Sequence, residues 1–377
     1  MASPPEFSWQ WLRTGDEMFS AMLEAIEGAR QSVCFETYIY SQSEVGTRFR
    51  EALIAAAKRG VRVRVLVDGF GSIELPANYW SPLRAAGGEA RVFNPIALRR
   101  FGIRDHRKLL TCDGRKAFVG GFNVSAECEG DGVTRGWCDL GLRIEGELVG
   151  ELVASFEEMF ARAEFRHKRL ARLRRTGLKR TVGQGGQQLL LSGPGRGVNP
   201  MLQALRAGLQ HAQNVQIMVA YFLPPLRLRR DLARVARRGG TAQLILPGKS
   251  DVALSQLAGQ SLYRRLLKAG VEISEYEPQI LHAKLFVVDN VVYVGSSNLD
   301  ARSLRINYEL MLRFENVRMA AEARELFGAR LLNGRVVTAD AWRSRSFWTR
   351  FKQRWAHFLL ARIDPYIARW QWRALPD

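Results

Sequence analysis

The feature that most constrains the fold of this 377-residue chain is an internal repeat. MLEAIEGARQSVCFETYIY, which begins at Met22, and MLQALRAGLQHAQNVQIMVAYFLP, which begins at Met201, each predict a helix followed by a strand. Residues 49–69 and 229–248 each predict a helix that ends at a glycine and then an apolar strand. YWSPLRAAGGEARVF and SLYRRLLKAGVEISEY form a third pair of the same kind. The order of segments in the first half is therefore repeated in the second.

A fourth pair completes the repeat. DHRKLLTCDGRKAFVGGFN and LHAKLFVVDNVVYVGSSN each predict two strands joined by a turn, at Asp113 and at Asp289. Counted from the first segment of each half, the histidine of this pair comes after 84 residues in one half and 81 in the other. Matching order and spacing indicate a duplication. Alternating helices and strands predict an α/β fold: two domains, each a mixed sheet flanked by helices, related by a pseudo-twofold axis.

The repeat also sets the expected domain boundaries. We expect the two domains at residues 16–164 and 187–335, joined by a linker at 165–186 that is basic first and glycine-rich later. The linker is interpreted either as a solvated charged segment or as a contact for lipid headgroups or another polyanion. Residues 342–377 form an aromatic and basic C-terminal segment.

Within the fourth pair, the pattern His-x-Lys followed by Asp occurs twice. The two copies consist of His106, Lys108 and Asp113 in the first half and of His282, Lys284 and Asp289 in the second. One such match arises by chance in roughly one comparable chain in a hundred, but two at equivalent points of a duplication do not. Residues i and i+2 of a strand point to the same face, so each copy places an imidazole beside an ammonium.

These residue types suit attack on a phosphodiester. A neutral imidazole is a good nucleophile near pH 7 and forms a covalent intermediate, while a second imidazole protonates the leaving alkoxide and then acts as base. Lysines stabilise the charge that builds on the phosphate oxygens. Because each copy supplies only one histidine, we predict that both copies face one shared cleft. The turn aspartates belong to the motif, although an aspartate in a hairpin turn is expected to have a structural role.

Further residues at equivalent positions extend the site. Asn123 and Asn298 follow small residues that let backbone approach a phosphate, and we predict that their amides bind it. Asp139 and Glu309 open later strands, and we predict that each holds the ring nitrogen of its histidine; an ordinary salt bridge is the alternative. Ser303 would add a hydroxyl donor. The remaining histidines, which lie in polar or basic helical contexts, are predicted to be non-catalytic: His167, His211 and His357.

The net charge and the cysteine pattern limit the class of binding partner and the type of cellular compartment that we expect. The net charge of +19 favours an anionic partner, which means nucleic acid, an anionic membrane or a phosphate-bearing substrate. The four cysteines lack metal-ligand spacing, which predicts buried or free thiols in a reducing compartment and no metal site. No signal peptide and no membrane span are apparent, so we expect a chain that lies on a membrane surface and does not cross it.

The paired motifs resemble those of the phospholipase D superfamily. Its HxKxxxxD signature and GxxN extension both occur twice, and DHRKLLTCDGRKAFVGGFNV, AYFLPP and SSNLDARSLRINYE are similar to the bacterial cardiolipin synthases, in particular to a shorter type without N-terminal membrane spans. The resemblance implies a phosphohistidine on His106, His282 as acid and base, and no metal or cofactor. It also implies cardiolipin and glycerol made from phosphatidylglycerol, with phosphatidylethanolamine as another donor, on the cytoplasmic side of the bacterial inner membrane.

Three alternatives stay open at this point. A nuclease of the same superfamily would use a similar basic cleft, and a lipid hydrolase would pass the phosphatidyl group to water. A non-catalytic protein that binds anionic lipid or nucleic acid would not need paired histidines. The preferred partners are phosphatidylglycerol, cardiolipin and the membrane surface, while nucleic acid is the less favoured ligand.

The C-terminal segment carries an aromatic stripe. Its apolar residues recur at helical spacing: Trp348, Phe351, Trp355, Phe358, Leu359 and Ile363. Basic residues lie beside the stripe, and Tyr366, Trp370 and Trp372 follow it. One interpretation is a helix in a lipid headgroup layer. The other is a terminal helix whose aromatic stripe packs on the core of the enzyme.

Overall fold

The computed structural model describes residues 7–95, 102–163, 179–195 and 197–363. The first half contains strands β1 (Ser8–Leu12), β2 (Ser32–Thr37), β3 (Arg62–Asp68), β4 (Glu89–Phe93), β5 (Leu109–Cys112), β6 (Lys116–Gly120) and β7 (Gly141–Glu145). Its helices are α1 (Gly15–Gly28), α2 (Glu44–Lys58), α3 (Ser81–Ala85) and α4 (Leu148–Ala163), with a 3₁₀ turn at Ala126–Cys128.

The second half contains β8 (Arg180–Val182), β9 (Gln187–Ser192), β10 (Asn214–Val219), β11 (Thr241–Pro247), β12 (Glu272–Tyr276), β13 (Lys284–Val288), β14 (Val291–Gly295), β15 (Glu309–Glu315) and β16 (Gly334–Val336). Its helices are α5 (Pro200–Leu209), α6 (Leu226–Arg237), α7 (Ala253–Gln260), α8 (Tyr263–Leu267), α9 (Ala301–Arg305), α10 (Val317–Leu331), α11 (Ala339–Arg343) and α12 (Phe347–Phe358). A π-helical turn, Leu359–Ile363, follows α12.

Strand order confirms the predicted α/β duplication. Among the described residues, the first sheet has the order β1-β7-β6-β5-β2-β3-β4, and the second has β16-β12-β11-β10-β13-β14-β15-β9-β8. Without the edge strands β8 and β16, and taken from its other end, the second order is β9-β15-β14-β13-β10-β11-β12, which matches the first strand for strand. In both sheets the first three helix-connected strands are parallel and the following hairpins are antiparallel.

The core is layered. Apolar residues on the inner faces of the two sheets, such as Leu142 and Leu310, share one buried cluster with Phe156 of α4 and Phe327 of α10. Helices α1 and α2 cover the outer face of the first sheet, and α5 to α8 cover that of the second. Because apolar area is buried on both faces of each sheet, the two halves are held together by a continuous interior.

Two strands lie outside the predicted domain ranges. β1 precedes residue 16 and pairs with β7, so the first sheet begins earlier than the helical pattern indicated. β8 falls inside the predicted linker at 165–186 and pairs with β9. Each is a short edge strand, whose few residues carry too little periodicity to be predicted. The basic part of the linker, 164–178, lies outside the described residues.

The C-terminal helix combines features of both interpretations. α12 packs against α7 and buries Gln353 and Ala356, yet Trp348, Phe351 and Trp355 are 68%, 51% and 55% exposed. The helix therefore docks on the core, as one of the two interpretations has it, but through a face other than the aromatic stripe. No helix in the described parts of the chain is both long and apolar enough to cross a membrane.

Candidate active site

The two histidine motifs meet because each is bridged to the other half. The His106 amide donates to the Tyr308 carbonyl at 3.0 Å, and the His282 amide donates to the Cys138 carbonyl at 2.8 Å. Isolated parallel β-bridges at Asp105 and Leu281 accompany these bonds. Tyr308 and Cys138 immediately precede the candidate orienting carboxylates, so each bridge delivers a carboxylate from one half to the histidine of the other.

The exchange is reciprocal. Glu309 Oε2 lies 3.0 Å from His106 Nδ1, and Asp139 Oδ2 lies 2.6 Å from His282 Nδ1. A carboxylate at Nδ1 selects the tautomer with the proton on that nitrogen, which leaves Nε2 as the basic nitrogen. The structure thus places both predicted carboxylates at histidine ring nitrogens, but it pairs the carboxylate of each half with the histidine of the other half.

Both motif lysines are buried beside their histidines. Lys108 Nζ donates to the His106 carbonyl at 2.7 Å. Lys284 Nζ donates to the His282 carbonyl and lies 3.0 Å from both nitrogens of that ring. Burial lowers the pKa of Lys108 to about 7 and lowers that of Lys284 as well. An anionic phosphate that enters the site would favour the charged form of both amines, because opposite charges at close range stabilise each other.

The two asparagines occupy equivalent places. Asn123 Oδ1 accepts from the Ile39 amide at 3.1 Å, and Asn298 Oδ1 accepts from the Tyr221 amide at 3.3 Å. Each bond ties the asparagine to the loop that follows β2 or β10. Because the oxygen of each amide is used in this way, the Nδ2 hydrogens are the groups available to phosphate oxygens.

The structure does not bring the motif aspartates to the histidines. Asp113 and Asp289 occupy hairpin turns with positive φ of 55° and 48°. The Asp113 carboxylate accepts from the amides of residues 30, 31 and 32 at the start of β2, and Asp289 accepts from those of 213 and 214 at the start of β10. Backbone donors at these strand starts, which lie at or near the surface, are thereby satisfied. The geometry is that of a structural link.

A pocket of about 630 Å³ lies between the halves and contains both histidines. Its walls include several residues to which the sequence motifs do not point: Tyr38, Phe70, Arg104, Trp137, Tyr221, Asp251, Asp300, Arg302 and Asn307. The rings of Tyr38 and Trp137 lie 5.0 Å, centroid to centroid, from those of His106 and His282 respectively. Ser303 also lines the pocket and hydrogen-bonds to Glu309. Trp137 was within reach of sequence reasoning, since it stands two positions before Asp139.

The two histidines have different electrostatic surroundings. Burial, Lys108 and Lys284 lower the pKa of His106 well below its usual range. Burial raises the pKa of its partner Glu309 to about 7. Burial and Lys284 also lower the pKa of His282, but here Asp139 opposes them. Burial alone would raise the pKa of Asp139, yet His282 and Lys284 hold it below its usual value. An ionised carboxylate is therefore available to stabilise an imidazolium at His282 more than at His106.

A buried charged cluster distinguishes the first half from the second. Arg107 pairs with Glu36 at 3.0 Å, and Asp105 is buried beside them. Burial and the neighbouring Glu36 raise the pKa of Asp105 well above its usual value. The equivalent positions in the second half hold the apolar residues Met218, Leu281 and Ala283. The duplicated scaffold thus supports one motif histidine on ionic groups and the other on apolar ones.

Small residues beside the carboxylates complete the asymmetry. A Cβ on Gly121 would lie 2.2 Å from Asp139 Oδ1, so a side chain here would displace that carboxylate. The equivalent Ser296 donates from Oγ to Glu309 Oε2 at 2.5 Å. The Gly–Asp and Ser–Glu combinations are therefore alternative ways to position a carboxylate against a histidine.

The remaining histidines, which the sequence predicts to be non-catalytic, do not line the pocket where the structure describes them. His211 is exposed, His357 contacts Ser261 Oγ at 3.1 Å, and neither lines the pocket; His167 lies outside the described residues. All four cysteines are buried, as predicted, and none forms a disulfide. In the part of the chain that the structure describes, no three His, Cys, Asp or Glu side chains are grouped to hold a metal ion.

A pocket built from two duplicated halves, each supplying an HxK segment and a carboxylate, defines a phosphodiester-processing site of the phospholipase D type. The sequence model described as "Cardiolipin synthase, PLD-like domain" matches residues 22–163 and 205–331, so the chain belongs to this family.

Relatives with assigned names support the membership. The chain is 35% identical over 317 residues to cardiolipin synthase 1 of Bacillus cereus, a match that covers 80% of this chain and 62% of that relative. It is 32% identical over 372 residues to cardiolipin synthase B of Salmonella typhi, covering 96% and 89%. The crystal structure of a phosphatidylserine synthase from Haemophilus influenzae has the same fold, with a TM-score of 0.74 at 14% identity over 96% of this chain and 94% of that one.

Proposed function

We propose that this chain transfers a phosphatidyl group between phospholipids through a phosphohistidine on His106, and makes cardiolipin and glycerol from two molecules of phosphatidylglycerol. The observation that carries the proposal is the reciprocal exchange of carboxylates. It places two imidazoles with defined tautomers in one pocket. The names of the similar proteins supply the substrate class.

The first half-reaction uses the asymmetry of the two histidines. Nε2 of neutral His106 attacks phosphorus, and the P–O bond to the glycerol headgroup breaks. His282 donates a proton to the departing oxygen. This assignment of roles follows from the lowered pKa of His106 and from the ionised Asp139, which stabilises the protonated form of His282.

The second half-reaction reverses the proton transfer. A primary hydroxyl of a second phosphatidylglycerol attacks the phosphorus, neutral His282 takes its proton, and the P–N bond to His106 breaks. Lys108, Lys284 and the amides of Asn123 and Asn298 stabilise the non-bridging oxygens in both steps. In this proposal no metal or cofactor takes part.

The proposed location follows from the substrates. Both are bilayer lipids, so the enzyme works at a membrane surface. Four buried cysteines without a disulfide are typical of a reducing compartment. This supports the cytoplasmic side of a bacterial inner membrane, where phosphatidylethanolamine would be a further donor.

The test is lipid turnover by the purified chain with a chelator present. Phosphatidylglycerol vesicles are incubated with wild type, His106→Ala and His282→Ala, and products are measured by mass spectrometry. Cardiolipin and glycerol from wild type alone support the proposal. Phosphatidic acid without cardiolipin indicates a hydrolase. DNA cleavage without any lipid product contradicts the lipid assignment and leaves a nuclease with the same chemistry. A covalent adduct of phosphatidyl mass on wild type, absent from His106→Ala, supports the phosphohistidine.

A further inference from the structure

Helix α12 is attached to the domain through one side only. Gln353 Nε2 donates a hydrogen bond to Gln260 Oε1 at 3.0 Å, and Gln353 Oε1 accepts one from the Arg345 guanidinium. His357 Nδ1 contacts the Ser261 hydroxyl. Ala356 is buried in the same contact. Polar and small residues therefore make the hydrogen bonds and the fully buried contact of this helix, while Trp348, Phe351 and Trp355 stay more than half exposed.

The aromatic residues form a continuous exposed stripe on the opposite side. With 3.6 residues per turn, Phe351 and Trp355 lie nearly half a turn away from Gln353. Neighbouring rings contact one another, with centroids 6.2 Å apart for Trp348 and Phe351 and 5.8 Å for Trp355 and Phe358. A contiguous exposed apolar patch marks an interaction surface, whereas single exposed apolar residues do not.

Basic residues lie on both sides of the stripe. Arg350 and Arg354 flank one edge and Lys352 flanks the other, and all three are exposed. Aromatic side chains between rows of cations are typical of a helix that lies at the headgroup level of an anionic bilayer. The same cations would repel each other if two copies of the stripe met, which disfavours self-association.

α12 packs on a helix that begins at the wall of the pocket. α7, on which it packs, begins directly after Val252, which lines the pocket and is partly exposed, and Leu254 is exposed beside it. In the equivalent loop of the first half, Phe70 lines the pocket and Ile73 is exposed. The loops follow the equivalent strands β11 and β3, so the pseudo-twofold axis places exposed apolar residues on both sides of the opening.

We propose that the face of α12 and these two loops together form a membrane-seating surface. The surface consists of Phe70, Ile73, Val252, Leu254, Phe347, Trp348, Phe351, Trp355 and Phe358. It inserts into the headgroup layer of an anionic bilayer and holds the pocket open toward the lipids, so that a phospholipid reaches His106 without leaving the bilayer. The role of this surface in substrate access rests on the proposed function, while its binding to a membrane can be measured without turnover.

The test compares vesicle binding with catalysis on a dispersed substrate. The variant carries Trp348→Ala, Phe351→Ala and Trp355→Ala, whose exposed side chains contribute little to folding; thermal unfolding verifies this. Vesicles contain equal amounts of phosphatidylglycerol and phosphatidylcholine. Loss of three aromatic rings is expected to weaken co-sedimentation at least about tenfold. Turnover of vesicle phosphatidylglycerol should fall in proportion, whereas turnover of a short-chain phosphatidylglycerol, dispersed as monomers, should be unchanged.

Two controls make the result specific. Val317→Ala removes an exposed apolar residue elsewhere on the surface. Val317 follows the end of β15 that is opposite Glu309, so this substitution should leave vesicle binding unchanged. Pure phosphatidylcholine vesicles should bind wild type at least about tenfold more weakly, since they lack the anionic attraction.

Three outcomes would overturn the inference. The first is that the triple variant binds vesicles as tightly as wild type. The second is that light scattering shows a wild-type dimer, which the triple substitution dissociates without changing vesicle binding. The third is that the triple variant loses activity equally on dispersed and on vesicle substrates. Vesicle binding that depends on the aromatic residues, in a protein that makes no lipid product, would support the seating surface and count only against the proposed function.

Discussion

The assignment of roles to the two histidines predicts that Asp139→Asn and Glu309→Gln affect different steps. Asp139 is a buried carboxylate 2.6 Å from His282 Nδ1, and His282, Lys284 and the Leu140 amide hold its pKa below the usual value despite burial. The asparagine variant removes the charge that stabilises an imidazolium at His282. Removing one partner of a buried ion pair costs about 3–5 kcal/mol. At 1.36 kcal/mol for each factor of ten, the protonated form of His282 becomes roughly 10²–10⁴-fold less accessible.

Glu309→Gln should have a smaller effect. Burial raises the pKa of Glu309 to about 7, so the neutral carboxyl is accessible near pH 7. Glutamine resembles the neutral form and retains an oxygen for the Ser296 hydroxyl, which donates to Glu309 at 2.5 Å. We expect a decrease in kcat of about tenfold or less.

A substrate with a good leaving group separates the two roles. Nitrophenolate departs from bis(p-nitrophenyl) phosphate without a proton, so formation of the phosphohistidine does not need an imidazolium at His282. In stopped-flow absorbance measurements, Asp139→Asn should retain a burst of nitrophenolate at close to the wild-type rate, followed by slow turnover. Phosphatidylglycerol turnover should fall by the full factor estimated above.

The matched controls are the histidine variants. His106→Ala should show no burst, and His282→Ala should show a burst without efficient turnover. A burst that Asp139→Asn abolishes and Glu309→Gln preserves would mean that His282 is the nucleophile, and the argument from the two carboxylates would be refuted.

Three further predictions concern residues around the site. Arg107→Ala leaves the Glu36 and Asp105 carboxyls buried together and should lower the free energy of unfolding by about 3–5 kcal/mol in urea titrations. Adding Glu36→Met and Asp105→Leu, the residues of the second half, should restore or exceed wild-type stability. Equal instability of the single and the triple variant would contradict this. Asp113→Ala should cost about 1–3 kcal/mol at pH 7 with kcat nearly unchanged. Hydrogen bonds from backbone amides hold the pKa of Asp113 below its usual value despite partial burial, so its contribution to stability is complete above about pH 4 and is lost as the pH falls through the folded-state pKa. The stability difference between Asp113→Ala and wild type should therefore narrow in acid. A large loss of kcat at normal stability would make Asp113 catalytic. Gly121→Ala should displace the carboxylate that holds His282 and reproduce the kinetics of Asp139→Asn with little loss of stability, and normal kinetics would show that the carboxylate has room to move.

Sequence reasoning reached most of the fold because duplication and periodicity are local properties. Helix and strand patterns repeat over short windows, and the match between halves supports each assignment twice. Short edge strands such as β1 and β8 were missed because so few residues show no period. The chemistry-bearing residues were also recognisable, since histidine, lysine and asparagine stand at fixed spacing within single strands and turns.

Contacts across the molecule were beyond the sequence. His106 and Glu309 are 203 positions apart, and His282 and Asp139 are 143 apart. The pairing depends on how the two sheets pack, which brings each motif against the last strands of the other half. Tyr38 reaches the His106 ring from within the same half, through a loop that only the fold places there.

By itself, the sequence determined that the chain is a duplicated α/β protein with two copies of a phosphodiester-directed motif and an aromatic helical stripe. The tertiary structure decided that the carboxylates are exchanged, that only one motif lies on a buried charged cluster, and that the stripe on α12 faces outward. Helical periodicity shows which residues share a face, but an aromatic face has the same pattern whether it meets a protein core or a lipid layer. Which of its faces a helix buries is decided by the shape and chemistry of the surface against which it packs.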